Sequence, residues 1–176
     1  MTETSSANLL LVTVLFSFQI FGDFAGYSSI ARGVAYLLGF RLPVNFDNPY
    51  IASSFKNFWQ RWHISLSSWL RDYLYVPLGG NRGSQWMGYR NLILVMLLGG
   101  LWHGAAWHYI VWGLIHGVAL AVGRFFRLEK KAREKLGVAG AFGWFVVTQL
   151  VVLVAWIFFR ATTSGRALEC ISGIAR

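Results

Sequence analysis

The chain has 176 residues, of which 56% are hydrophobic and only 13% are charged. A soluble domain carries about 25% charged residues, so this composition excludes an ordinary soluble protein and indicates one embedded in a lipid bilayer. The net charge of +9 falls mostly between apolar runs, which is typical of loops at an anionic cytoplasmic surface and does not predict nucleic-acid binding. The single cysteine, Cys170, excludes an intrachain disulfide and a cysteine-based zinc site.

The N-terminal third begins with an apolar run. Residues Leu9 to Phe21 predict a membrane-spanning helix, and Asp23 with its two flanking glycines predicts a polar break or end to that helix. Residues Ile30 to Phe40 predict a short helical piece that is interfacial or partly buried. Two prolines with Asn and Asp between Arg41 and Pro49 predict a loop.

The next segment, Ile51 to Tyr75, has a helical period. Its aromatic and aliphatic residues recur every three or four positions, and polar residues occupy most of the other positions. This pattern predicts one amphipathic helix with a tryptophan-rich side, in the interface plane or in a groove of a bundle. The glycines from Gly79 to Gly83 then predict a basic loop.

The stretch from Asn91 to Gly123 contains no Lys, Arg, Asp or Glu. It is too long for one span of about 20 residues and short for two full spans. Glycines around Leu101–Trp102–His103 predict two helices joined by a sharp break at membrane depth. Such a break is tolerated only where it is buried in protein or lines a cavity, so it is a candidate site.

The last third predicts one further span. Six basic residues between Arg124 and Lys135 predict a cytoplasmic segment. Residues Ala141 to Phe159 predict a span that ends near Arg160, and the tail predicts the start of another element. The fold class is therefore an all-α membrane protein: a multi-helix transmembrane bundle with a broken or re-entrant helix and an amphipathic interfacial helix.

Four histidines are the candidate chemical groups. An ionisable residue at membrane depth is a functional hypothesis by default, and His103 lies on the glycine break with no nucleophile nearby, so it fits a general base that takes the proton of a hydroxyl. Spacing places His108 and His116 on one helical face, where packing is the favoured role. No acid accompanies them, so a metal site is not expected. Pattern alone leaves His63 as an interfacial residue.

Several motifs in this chain resemble those of one family. In order and spacing they are similar to the membrane-bound O-acyltransferase (MBOAT) family, in its bacterial alginate O-acetyltransferase branch. The resemblance covers nearly the whole chain and the C-terminal part of the longer family fold, so residues 1–176 are expected to form one partial transmembrane domain. The matching segments are Asp23–Ser28, Leu38–Pro43, Phe58–Ser67, Trp69–Arg82 and Gly99–Ala105.

The resemblance implies specific site residues. The histidine of the family's Trp-His-Gly motif falls on His103, and that of its Arg-Trp-His motif falls on His63, so both are expected to be catalytic. The family often has an acid where Ser29 stands. The residues that the resemblance implies for substrate binding are Trp102, Arg61, Asp23 and Trp62.

The resemblance also implies a reaction. Relatives transfer an acyl group through a funnel or tunnel in the membrane, from a cytoplasmic thioester donor such as acetyl-CoA towards an exported polysaccharide such as alginate or peptidoglycan. No bound cofactor is expected. The expected partners are the lipid bilayer and a periplasmic polysaccharide acetyltransferase, and the expected location is the bacterial inner membrane, with several spans.

Two alternatives stay open from the sequence. A transporter or channel-like subunit is the first, because broken helices and polar residues at membrane depth are also typical of transporters. An inactive truncated remnant that only assembles with partners is the second, because the family fold is far longer than this chain.

Overall fold

The computed structural model describes residues 5–176, which form seven α-helices and no strand. A 3₁₀ turn (Pro49–Ile51) and a π-helical turn (Arg71–Tyr75) lie between them. Helices α1, α5 and α6 are long and apolar enough to cross a membrane. The all-α membrane fold predicted from the sequence is confirmed. The seven helices are α1 Ser6–Leu37, α2 Phe55–Arg61, α3 Ile64–Leu70, α4 Gln85–His103, α5 Trp107–Phe126, α6 Leu128–Arg160 and α7 Ser164–Ile174.

Helix α1 is continuous over 32 residues, so the predicted polar break after Phe21 is wrong. The Ser5 side chain caps its start by accepting from the Asn8 N–H, and the Thr13 hydroxyl donates back to the Leu9 carbonyl. Glycines lower helix propensity by only about 1 kcal/mol each, and a long apolar helix tolerates them. The predicted piece from Ile30 is simply the end of this helix.

The amphipathic segment is not one helix, which corrects the prediction for Ile51 to Tyr75. Helix α2 ends at Arg61, and His63 takes a left-handed conformation with φ 42° before α3 begins. The Ile64 N–H, which a continuous helix would use internally, donates instead to the carbonyl of Asn45 at 2.9 Å. A hydrogen bond to a distant loop therefore takes the place of one within the helix. The hydrophobic period of the sequence cannot reveal such a contact.

Helices α4 and α5 form an antiparallel hairpin around the predicted glycine break, which lies at Gly104. The two helices approach closely because Gly100 faces the Tyr109 carbonyl and Gly113 faces the Met96 carbonyl, positions where a Cβ would collide with backbone. At about 1.5 Å per residue, each arm is about 28–30 Å long. The arms are longer than predicted because α4 begins at Gln85, before the uncharged stretch.

Helix α6 continues the chain almost directly from α5. Only Arg127, in a left-handed conformation, separates them, so most of the basic segment forms the first turns of α6 rather than a loop. Gly137, with φ 57°, kinks α6. The helix ends at Arg160, as predicted, and α7 is the further element that the tail predicted.

An aromatic core fixes the end of α2 against α5 and α6. The Trp62 ring stacks on Phe58 with centroids 5.7 Å apart, and it lies 4.9 Å from the ring of Trp156 on α6. Trp112 of α5 is 2% exposed and packs against the same Trp156. This core sets the position of the backbone at residue 63, directly after Trp62.

Candidate functional site

His103 is the last residue of α4, at the turn of the hairpin. Its half-buried ring lies 5.1 Å from the centroids of both Trp112 and Phe159, and 4.9 Å from Trp102. Within residues 5–176 no protein group hydrogen-bonds this imidazole, although aromatic rings surround it. Its nitrogens are therefore available to a substrate, in surroundings of low polarity.

His63 reaches the same place from the break between α2 and α3. Its ring lies 6.2 Å from that of Trp102 and 4.6 Å from that of Phe24 on α1. Trp102 thus contacts both histidines, although they lie far apart in the sequence. The structure brings together the two residues predicted to be catalytic.

Asn45 orients the His63 ring from the loop that follows α1. Its Oδ1 accepts from the backbone N–H of Ser65 at 3.1 Å and from the Ser65 hydroxyl at 2.9 Å, which identifies this atom as the oxygen. The Nδ1 of His63 lies 3.2 Å from the same oxygen, so Nδ1 carries the hydrogen. The Asn45 Nδ2 donates to the Ser28 hydroxyl. His63 is therefore held as the tautomer whose Nε2 is unprotonated.

His63 is also kept neutral. Burial, and then the nearby charge of His103, lowers the pKa of His63 to about 4. Desolvation disfavours the charged imidazolium, and a second positive ring disfavours it further. At neutral pH this histidine is therefore an acceptor at Nε2.

The four residues predicted to bind substrate lie in different settings. Trp102 is 61% exposed beside both histidines. Trp62 is buried in the aromatic core, directly before His63. Arg61 donates to the backbone carbonyl of Asp47 at 3.0 Å and to its carboxylate at 3.2 Å, which fixes the loop that carries Asn45. Asp23 is exposed on α1, next to the Phe24 that contacts His63.

The other two histidines lie in the helix packing, as the sequence favoured. His116 is 1% exposed and stacks parallel to Phe58, and His108 is 8% exposed against the ring of Tyr109. In the part of the chain that the structure describes, no three His, Cys, Asp or Glu side chains are grouped closely enough to hold a metal ion.

A cavity of about 700 Å³ opens between α2 and α3 on one side and helices α4 to α6 on the other. Its inner wall is apolar at Leu70, Val95 and Met96, and it reaches Ile64, the residue that follows His63. Its lining also includes five basic side chains, of which Arg124, Arg127 and Lys130 lie where α5 passes into α6 and the other two are Lys56 and Arg71. The volume is within the range of about 300–1,000 Å³ that is usual for ligand sites.

Sequence reasoning missed Asn45 and this cavity. Asn45 stands in a loop rich in proline, where an asparagine is ordinary and has no spacing relationship to His63. The basic residues around the cavity come from two segments that the sequence treats separately, one before α4 and one from the end of α5 onwards. Only the folding of the hairpin brings Arg124 of α5 to Tyr75 and Asn81, at 3.0 and 2.6 Å.

The chain is similar to known proteins over most of its length. Residues 2–129 match the model of the MBOAT, membrane-bound O-acyltransferase family. The chain is 50% identical over 86% of its length to the probable alginate O-acetylase AlgI of Pseudomonas aeruginosa, and 42% identical over 98% to the peptidoglycan O-acetyltransferase of Helicobacter pylori. It is 35% identical over 84% to the teichoic acid D-alanyltransferase of Streptococcus thermophilus.

These matches cover 28%, 32% and 40% of the three relatives, so the chain spans about a third of the length of the curated relatives it matches. The family match covers well over half of this chain and includes both His63 and His103. It agrees with the resemblance seen in the motifs and with the three apolar helices. The chain therefore belongs to the membrane-bound O-acyltransferase family.

Proposed function

We propose that this chain carries the catalytic histidines of an O-acyltransferase that moves an acetyl group from a thioester donor, such as acetyl-CoA, towards an exported polysaccharide. The observation that supports it most is the meeting of His63 and His103 at the exposed ring of Trp102. The names of the relatives, for alginate, peptidoglycan and teichoic acid, support a cell-surface polymer as the final acceptor.

In this proposal His103 acts as the general base. An unprotonated ring nitrogen of His103 takes the proton of the attacking hydroxyl while the hydroxyl oxygen bonds to the acyl carbon. The carbon–sulfur bond breaks, and the leaving thiolate takes up that proton. The aromatic rings around His103 support this role because they surround the imidazole without hydrogen-bonding its nitrogens.

His63 supports the same step by staying neutral. When His103 carries the proton, a second positive ring beside it would repel it. With a pKa of about 4, His63 is uncharged and presents an acceptor nitrogen instead. We propose that four residues shape the substrate site, namely Trp102, Arg61, Asp23 and Trp62. Trp102 would contact the substrate directly. Arg61 would act through the loop that carries Asn45, Trp62 from the aromatic core before His63, and Asp23 from α1 beside Phe24.

We place the chain in the bacterial inner membrane, with the basic segment from Arg124 on the cytoplasmic side, because basic segments favour that side. The donor would then come from the cytoplasm, and a periplasmic polysaccharide acetyltransferase would receive the acetyl group.

The test is acetylation of the exported polymer in cells whose own copy of the gene is deleted. Complementation with the wild-type gene should restore ester-linked acetate, and His103→Ala should not, at equal protein in the membrane fraction. His108→Ala is the matched control, since His108 lies in the packing. Acetylation that persists in His103→Ala would overturn the assignment. Solute flux in liposomes without any thioester would favour the transporter alternative.

A further inference from the structure

The first nine residues of α6 do not continue in the direction of the rest of that helix. Gly137 has φ 57° and ψ −134°, well outside the helical region. A Cβ on Gly140 would meet the carbonyl oxygen of Ala132. In a straight helix residues 132 and 140 would lie about 12 Å apart along the axis. The chain therefore turns back at Gly137, and residues 128–136, the basic arm, pack against the first turns of the following span.

The basic arm lies where two spans leave the bilayer. It joins α5 to the rest of α6, two packed helices that are each long and apolar enough to cross a membrane. Residues 138–160 alone are about 34 Å long, which exceeds the hydrocarbon thickness of about 30 Å. Leu136 is 68% exposed at this surface, and Val138 is 88% exposed. These apolar side chains suit contact with lipid at the membrane interface.

Three cations of the basic arm are not neutralised by an acid. Lys131, Arg133 and Lys135 are exposed, and among residues 5–176 no carboxylate lies within 4.0 Å of any of them. Lys130, by contrast, pairs with Glu134 at 3.5 Å. The arm therefore keeps a net positive charge at the membrane surface.

The helical positions of these cations match those of an interfacial helix. One face of the basic arm is apolar and consists of Leu128, Ala132 and Leu136. At about 100° per residue, Lys131 and Lys135 border one side of this face and Arg133 borders the other. The pair of Lys130 and Glu134 lies on the opposite side of the helix. Long basic side chains beside an apolar face reach the headgroup level while their stems stay on apolar surface.

We infer that the basic arm binds the headgroups of anionic phospholipids through Lys131, Arg133 and Lys135. Anionic headgroups attract basic side chains held at the membrane surface, and the exposed Leu136 suits the acyl boundary of the same leaflet. The remaining acid of the arm, Glu129, accepts from the Ser53 hydroxyl and lines the cavity. The arm is separated from the histidines by the length of α5, about 30 Å, so this inference does not rest on the proposed function.

The experiment measures the preference of the full protein for an anionic lipid. Native mass spectrometry of the detergent-solubilised protein counts bound phosphatidylglycerol and phosphatidylcholine, supplied at equal mole fractions. The variants are Lys131→Gln, Arg133→Gln and Lys135→Gln, singly and combined. The matched control also removes three exposed cations that are unpaired in the described chain, but from scattered positions outside the arm, and consists of Arg41→Gln, Arg166→Gln and Arg176→Gln.

Each single variant should lower the affinity for phosphatidylglycerol by about fivefold, the usual contribution of one basic residue at an anionic surface. The combined variant should bring the ratio of bound phosphatidylglycerol to phosphatidylcholine close to one. Lys130→Gln should stay within about twofold of the wild type because Lys130 is paired on the opposite side of the arm. A combined variant that keeps the wild-type ratio, or a control that loses as much, would overturn the inference.

A second comparison tests the turn at Gly137 without changing any charge. Side chains rarely adopt the positive φ of this residue, so Gly137→Ala should open the turn and displace the arm. The preference for phosphatidylglycerol should fall severalfold, whereas Gly143→Ala, on the same helix and with no neighbour within 4 Å, should leave it unchanged. If Gly137→Ala keeps the full preference, the turned-back arm is not what presents the cations. His103→Ala should bind phosphatidylglycerol as the wild type does, whatever its effect on acetylation.

Discussion

Asn45 and His63 are joined by a hydrogen bond of 3.2 Å between Oδ1 and Nδ1, across a loop, a 3₁₀ turn and a helix. The same asparagine accepts the Ile64 N–H at its backbone carbonyl, so it fixes both the left-handed backbone and the ring tautomer of His63. The motif that contains His63 therefore supplies only the imidazole. The hydrogen bonds that orient this imidazole come from a loop in which no sequence motif indicates a functional residue.

This relationship predicts that Asn45→Ala lowers the rate of acetyl transfer by about 10- to 100-fold, as the loss of a partner that orients a functional histidine does elsewhere. The loss should appear in kcat rather than in the KM for the donor, because ring orientation matters at the reacting centre. Ser28→Ala, which removes only the second hydrogen bond of Asn45, is the control and should change the rate less. Equal losses in both variants would contradict the orienting role.

The variant Asn45→Asp makes a separate prediction about pH. The carboxylate still accepts from Nδ1, so this variant should retain more activity at neutral pH than Asn45→Ala. A negative neighbour favours the charged imidazolium and so raises the pKa of His63 above about 4. His63 then becomes positive at a higher pH, and the acid limb of the pH–rate profile should move upwards. A profile unchanged from the wild type would show that His63 does not titrate in the reaction.

Trp102 and Trp62 should differ in their roles: Trp102 should affect acetyl transfer, and Trp62 should affect the stability of the fold. Trp102→Ala removes an exposed side chain, so stability should change by no more than about 0.5 kcal/mol while acetyl transfer falls by about tenfold or more. Trp62→Ala empties part of the aromatic core, and a cost of about 3–5 kcal/mol should reduce the amount of folded protein. Thermal melting in detergent, beside the acetylation assay, separates the two. A normal melting temperature for Trp62→Ala would contradict its place in the core.

His116 provides a test of the packing role. Both of its ring nitrogens are buried without a hydrogen-bond partner among the described residues. His116→Phe keeps the stacked ring against Phe58 and removes these polar atoms, so the protein should be as stable as the wild type or more stable by about 1 kcal/mol. His116→Ala should cost about 3 kcal/mol, because it leaves a hole in the core. If His116→Phe folds normally but abolishes acetylation, His116 has a chemical role.

The α4–α5 hairpin depends on glycine at the helix contact. Gly100→Ala would place a Cβ against the Tyr109 carbonyl, and the resulting displacement should cost about 1–3 kcal/mol. Gly143→Ala on α6, where a Cβ meets no neighbour within 4 Å, is the matched control and should be neutral or stabilising by up to about 1 kcal/mol. Because the hairpin carries His103 at its turn, acetylation should fall with stability in Gly100→Ala. A melting temperature that is equal in the two variants would contradict the close approach.

Much of this protein can be predicted from the sequence, for a physical reason. A long apolar run without charges indicates a membrane span, a glycine break at membrane depth must be buried or line a cavity, and a cluster of bases favours the cytoplasmic side. These rules are local, so they predict the membrane class, a helix end near Arg160 and a break around residues 101–103. The motifs around Asp23, Phe40, His63, Asp72 and His103 together indicate the family through their residues, order and spacing.

What the tertiary structure decided depends on contacts between distant segments. The left-handed break at His63 exists because Asn45 supplies hydrogen bonds that a continuous helix would make internally, and no period encodes that exchange. Helix α1 continues past Asp23, although the local polarity predicted a break there. His63 meets His103 because the aromatic core fixes the end of α2 against α5 and α6, and Arg124 meets Tyr75 because α5 folds back on α4. Sequence determined which groups are present, and folding determined which of them act together.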